Sequence, residues 1–341
     1  LPHSLSAAMA SLLREVCGDH YSLPNNELQE IGEEIEKTGK TNGMMTLFHF
    51  PFTGDFSMRF VFMRLVVLVS LCCFTGQASA VEPLKVLLVV GGCCHDYDSQ
   101  AKLLKTGIED TINSTVEVIY NSDTSTETRF EIYESEDWAS GFDVVVHNEC
   151  SANVTDKPYV DRILKAHRNG IPAVNLHCAM HSYRWGNFRE PVADGADNGN
   201  WYEMIGLQST GHGPRGPIDV TYADHVITNG LAPWTTPEEE LYNNVRVYDS
   251  ATIVASGRQM QMPKKKKNQP ANPEAKPTEA NAIVAWINEY GPNKTRIFST
   301  SIGHHNDTFS DDRYLDFICR GILWSTHKLT ESGKPAAGYG K

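Results

Sequence analysis

Apolar positions in residues 84–176 alternate between two patterns. Leu84–Val90 is a nearly continuous apolar run that stops at Gly91-Gly92, as expected for a strand buried on both faces of a parallel sheet. Ser99–Asn113 carries Leu103, Leu104, Ile108 and Ile112 at helical spacing. Thr115–Tyr120 and Phe142–His147 read as the second and third strands. Lys157–Arg168 reads as an amphipathic helix, and Ile171–Leu176 as a fourth strand followed by Cys178–Trp185. Strands alternating with helices predict an α/β fold, a doubly wound and mostly parallel sheet in a single domain.

The second half is less regular. Ile218–Thr221 and Ile253–Ser256 read as short strands, and Ala282–Ile287 with Arg296–Ser301 as a closing pair. Asp312–Thr326 predicts the last packed helix. Residues 259–281 are rich in Lys, Pro and Asn, with the run Lys264–Lys267, and predict a solvated loop insertion. The tail 328–341 is expected to fray.

Residues 1–80 follow a different logic. Met63-Arg64, an apolar run to Phe74 and the small-x-small end Ala78-Ser79-Ala80 have the build of a secretory signal peptide over 63–80. The apolar run is too short for a membrane span. Residues 1–62 then read as an over-extended amino terminus, the rival being a real extension with one polar helix over Glu27–Lys40. The expected location is secreted or periplasmic. Export would also admit disulfides, yet adjacent Cys93 and Cys94 are not expected to pair with each other.

Composition narrows the partners. The 341 residues carry 30 Lys+Arg against 42 Asp+Glu, a net charge of −12. That balance argues against nucleic acid and anionic membrane surfaces, which need a positive field. Gly91-Gly92 lacks the remaining glycines of a dinucleotide loop, so no nucleotide cofactor is expected.

Candidate chemistry collects where strands stop, the place for sites in open α/β sheets. The first strand is followed by His95-Asp96, the third by His147-Asn148-Glu149, the fourth by His177-Cys178, and the last by Gly303-His304. His95, His177 and His304 are therefore expected to share a pocket, with His177, His304 and Glu149 as catalytic candidates. Two mechanisms suit them. Three neutral imidazoles are natural ligands of a divalent metal, zinc above all, with an open position to activate water or polarise a carbonyl. Alternatively one His acts as general acid/base beside a carboxylate, without a metal. Trp201, Tyr202, His212 and Asp96 are the candidates for holding a substrate; His167, His181, His225 and His305 stand out in no such way.

Several stretches in order resemble one family. They are Leu84–Val90 with Gly-Gly-x-x-His-Asp-Tyr97, Gly170-Ile-Pro-Ala-Val-Asn-Leu-His177, Trp201-Tyr202 with Gly206, Ala285-Trp286, and Arg296-Ile-Phe-Ser-Thr-Ser-Ile-Gly-His304. Together, over residues 84–327, they resemble the ThuA-like (trehalose-utilisation) family. The resemblance implies a flavodoxin-like fold of the class I glutamine amidotransferase type. It also implies a role in carbohydrate catabolism on a disaccharide or keto-sugar, a small-molecule carbohydrate being the partner. Laid on the amidotransferase pattern, His177 takes the elbow where those enzymes keep a cysteine, Cys178 falls one residue later, and Asn306 stands where an acid is expected. A Cys-His-Glu triad is thus not intact. Two other readings stand beside the enzyme: a non-catalytic sugar-binding accessory protein, and a Cys178-dependent amidotransferase-like enzyme.

Overall fold

In a computed structural model of the chain, the structure describes residues 81–263 and 274–341. The proposed signal peptide, residues 1–62 with Glu27–Lys40, and the Lys264–Lys267 run lie outside the described residues. The first half has the expected alternation: β1 (Leu84–Gly92), α1 (Tyr97–Thr111), β2 (Ser114–Asn121), β3 (Val144–Cys150), α2 (Lys157–Arg168) and β4 (Ala173–Leu176). After β4 comes a 3₁₀ turn, His177–His181, and then α3 (Asn200–Ile205). The second half is β5 (Leu207–Tyr222), β6 (Trp234–Val247), β7 (Ala251–Gln261), β8 (Thr278–Tyr290), β9 (Thr295–Thr300), α4 (Asn306–Phe309) and α5 (Asp312–Ser325).

All nine strands form one sheet in the order β2-β1-β3-β4-β9-β8-β7-β5-β6. From β2 to β9 the pairings are parallel; from β9 to β6 every one is antiparallel. The expectation of a mostly parallel, flavodoxin-like sheet therefore needs correction: this is a single α/β domain on a mixed sheet. Long hairpins replace helical crossovers in the second half, because β5, β6, β7 and β8 follow one another with short connections or pair directly. Their polar and apolar residues alternate along only part of each strand, which is why β5 and β7 read as short and β6 is not apparent in the sequence. The expected 259–281 loop is narrower, since Gln259–Gln261 pairs in register with Thr278–Ala280. The tail is also tied down. Tyr339 O accepts from Asn113 N at 3.0 Å, and Gly340 bridges to Ile112.

Each face of the sheet has its own core. Val86, Leu88, Val90, Val144 and Val146 pack with α1 and α5, while Leu87, Val89 and Val145 pack with α2 and α3. The period-2 alternation of a strand assigns each residue to a face. At the end of β3 it sends His147 and Glu149 to the α2 side, and Asn148 and Cys150 to the α1 side.

Candidate functional site

Three loops at the carboxyl ends of β1, β4 and β9 bring His95, His177 and His304 together. The ring centroids are 4.9 Å apart for His95–His177, 4.7 Å for His95–His304 and 5.4 Å for His177–His304. One nitrogen from each ring lies within 4.8 Å of the others, an arrangement that could hold a metal ion. Buried Nδ1 of His95, Nε2 of His177 and Nδ1 of His304 have no hydrogen-bond partner.

Local geometry holds each ring. His177 occupies the elbow after β4 with φ of 41°, a left-handed conformation uncommon for a residue with a side chain. Its Nδ1 lies 2.6 Å from Ser301 O. A carbonyl only accepts, so Nδ1 carries the proton and, in the neutral ring, Nε2 turns its lone pair to the pocket. Gly303 has φ of 128°, and a Cβ there would sit 2.6 Å from Tyr314 Oη, so the turn into His304 needs glycine. Gln100 Nε2 donates to His304 O at 3.2 Å.

Two carboxylates that the sequence pattern does not mark complete the site. Both lie on β6. Glu239, fully buried, accepts from the backbone N–H of Gly303 at 3.1 Å and of His304 at 3.0 Å, and from Thr308 Oγ1 at 2.5 Å. It thereby fixes the loop that carries His304. Glu240 faces the imidazoles: its carboxylate is 3.6 Å from His177 Nε2, 3.5 Å from His304 Nδ1 and 3.4 Å from His212 Nε2. Burial works to raise the Glu240 carboxyl, but the imidazoles of His177 and His304 outweigh it and hold it well below the usual carboxylate range. His95 shifts the other way from its usual value. Burial, then the charges of His177 and His304, lower it to about 3. In sequence, Glu238-Glu239-Glu240 looks like a solvated charge run. The only hint is the apolar Leu241-Tyr242 that follows it.

The site opens into a cavity of about 470 Å³ lined by His95, Cys178, His212, Arg215, Glu240 and Tyr242 among others. His181, unremarkable in the sequence, stacks on Tyr242 at 4.3 Å in the same wall. His212 is at the exposed rim on β5. Asp96 is exposed as the N-cap of α1, accepting from Ser99 N at 3.3 Å and from Asn306 Nδ2 at 2.8 Å, beside a second opening of about 360 Å³.

Three candidates lie elsewhere. Trp201 and Tyr202 are both buried on α3, and Trp201 Nε1 donates to Ala179 O at 2.8 Å. They anchor the core and offer no face to a ligand. Glu149 is fully buried on the α2 side of the sheet, where Tyr133 and Tyr183 donate to its Oε1 at 3.1 and 3.2 Å and His147 Nδ1 lies 2.8 Å away. One step of β alternation separates it from the imidazole pocket.

One pair of cysteines departs from expectation. Cys93 and Cys94 are joined to each other by a disulfide. Cys178 is buried, its Sγ 2.8 Å from Cys150 Sγ and 3.2 Å from His95 Nε2. The neighbouring Cys150 sulfur and burial push the Cys178 thiol well up, which makes it a poor nucleophile in this setting.

Among the described residues, no helix is long and apolar enough to cross a membrane. A search of curated proteins finds no match. Among solved structures, a ThuA-like protein from Bacteroides uniformis is 14% identical, with a TM-score of 0.46 over 73% of this chain and 95% of its own. A GMP synthase component from Thermoplasma acidophilum is 11% identical, with a TM-score of 0.42 over 72% of this chain and 96% of its own. The β-galactosidase of Rahnella sp. R3 is 13% identical, with a TM-score of 0.39 over 80% of this chain and 35% of its own. The profile of the ThuA family, described as trehalose utilisation, matches residues 85–325, more than half of the sequence, and the chain belongs to that family.

Proposed function

We propose that the chain is a metal-dependent enzyme of carbohydrate breakdown, acting on a disaccharide or its keto derivative. The observation that carries this reading is the gathering of three imidazoles, one nitrogen of each within 4.8 Å of the others, with the Glu240 carboxylate 3.6 and 3.5 Å from two of them. Buried polar atoms without a hydrogen bond are costly, and each of these three rings has one such nitrogen, which suits a shared ligand. All-imidazole donors favour zinc over harder cations. Bound there, zinc would polarise a carbonyl or acidify a water.

The chain's own residues supply the rest. His177 is held in one tautomer by Ser301 O. Glu239 holds the His304 loop. Glu240, ionised in the wall of the cavity, is positioned to accept a hydrogen bond from a substrate hydroxyl or from water at its Oε atoms. The cavity is within the range typical of small-molecule sites. The family's description supports a sugar substrate. Burial of Trp201 and Tyr202 removes the stacking platform on which a purely sugar-binding role would have relied. The sequence of residues 63–80 supports export, which fractionation of the expressing cell tests.

Elemental mass spectrometry of the purified protein, with His177→Ala beside it, tests the reading. Near-stoichiometric zinc lost in the variant, with turnover of keto-disaccharides lost in parallel, is the expected result. A wild-type protein that takes up no divalent ion after reconstitution would overturn it.

A further inference from the structure

Four of the five cysteines among the described residues lie in one line along the wall of the imidazole cavity. Cys94 is bonded to Cys93, Cys93 Sγ is 3.4 Å from Cys150 Sγ, and Cys150 Sγ is 2.8 Å from Cys178 Sγ. The backbone enforces this approach. Gly92 runs so close to β3 that a Cβ on it would sit 2.3 Å from Cys150 O, and Cys93 N donates to that same oxygen at 3.3 Å. The Cys150–Cys178 separation is a close thiol–thiol contact between two free cysteines. Cys94 is exposed at one end, and Cys93, Cys150 and Cys178 are buried.

We propose that these four residues form one thiol–disulfide relay, in which the disulfide migrates between Cys93–Cys94 and Cys150–Cys178. In the first step Cys150 Sγ, as thiolate, attacks Cys93 Sγ. The Cys93–Cys150 bond forms, the Cys93–Cys94 bond breaks, and Cys94 leaves as thiolate and takes up the proton that Cys150 gave up. In the second, slower step the minor thiolate form of Cys178, which burial disfavours and mildly alkaline pH supplies, attacks Cys150 Sγ. The Cys150–Cys178 bond forms, the Cys93–Cys150 bond breaks, and Cys93 takes up the proton released by Cys178. One disulfide and two thiols are present before and after, so no oxidant or reductant is consumed. Cys94 is the point at which an external thiol has access to the relay. Its far end, Cys178, touches His95, so the position of the disulfide is felt in the wall of the imidazole pocket.

Disulfide mapping tests the relay. The full-length protein is incubated with a trace of glutathione at mildly alkaline pH, quenched in acid, alkylated with N-ethylmaleimide and digested. Cys93-Cys94, Cys150 and Cys178 fall on separate tryptic peptides. The expected result is a Cys150–Cys178 cross-linked pair in roughly a tenth of the molecules or more, alongside the Cys93–Cys94 form. Cys150→Ser should leave only Cys93–Cys94. Cys178→Ala should accumulate Cys93–Cys150 instead, and Cys319→Ser, altered in the α5 core, should change nothing. A wild-type protein in which Cys150 and Cys178 are always alkylated, or in which one fixed disulfide persists under every condition, would overturn the relay. Because the readout is a covalent map, a failed metal assay leaves the outcome legible.

Discussion

The protein contains two histidine–glutamate clusters, on opposite faces of one sheet, with similar residue types. His95, His177, His304 and Glu240 open to a cavity. His147, His167 and Glu149 are sealed, with Tyr133 and Tyr183 around them. In the sealed cluster the protons can be counted. His167 Nδ1 donates to Ile171 O at 2.8 Å, and burial lowers His167 to about 3, so its ring is neutral and its Nε2 must accept. His147 Nε2, 3.0 Å away, is then the donor, and one proton is shared between His147 Nδ1 and Glu149 Oε1. Every imidazole nitrogen is thus spent inside the protein. In the open cluster one nitrogen of each ring has no hydrogen bond, and two of the three face Glu240 at 3.6 and 3.5 Å. Residue type alone does not mark a site; unspent hydrogen-bonding capacity facing a cavity does.

The difference predicts how each cluster breaks. Glu149→Ala removes from the core the acceptor shared by Tyr133, Tyr183 and His147. It should cost about 3–5 kcal/mol of stability, read from the denaturant midpoint, with zinc stoichiometry per folded molecule unchanged. His177→Ala should do the opposite. Zinc affinity should fall about 100-fold or more in a competition titration with a chelator, while the unfolding midpoint of the metal-free protein stays near wild type. Equal effects of both variants on zinc would erase the distinction between the clusters.

Acidification sharpens it next. The His167 ring is lowered in the folded state, so the unfolded chain binds more protons between about 6.5 and 3. Stability from this group is fully present above pH 6.5 and is lost as pH falls toward 3, at up to about 1.4 kcal/mol per pH unit. His167→Gln should flatten that slope in a pH series of urea melts; an unchanged slope would mean that the ring is already charged in the fold. The smallest effect is expected at Glu239→Gln, which keeps the shape but weakens the grip on the His304 loop. It should lower zinc affinity by about tenfold, with the charge of Glu240 intact.

Much of the first half is legible in the sequence. The Leu84–Val90 run, the Lys157–Arg168 helix and the three strand-end histidines all follow from periodicity and from where α/β sheets place their sites. Glu149 is misplaced by the same reasoning because the apolar run stops before His147, whereas β3 continues to Cys150, and each further residue alternates faces. Trp201 and Tyr202 look like binding residues because an irregular stretch conceals a short helix, α3, packed into the core. Glu239 and Glu240 escape notice because β6 pairs with β5 through several register shifts that leave little alternation to read.

By itself the sequence determined that strands and helices alternate through its first half, which helix faces are apolar, and that histidines follow three of the strands. These are local properties, set by side-chain period and by the chemistry of turns. The tertiary structure decided the antiparallel half of the sheet, the choice of Glu240 over Glu149 as the carboxylate beside the imidazoles, and the line of four cysteines. Each of these depends on contacts between segments far apart in the chain, where a one-residue change of register moves a side chain to the other face.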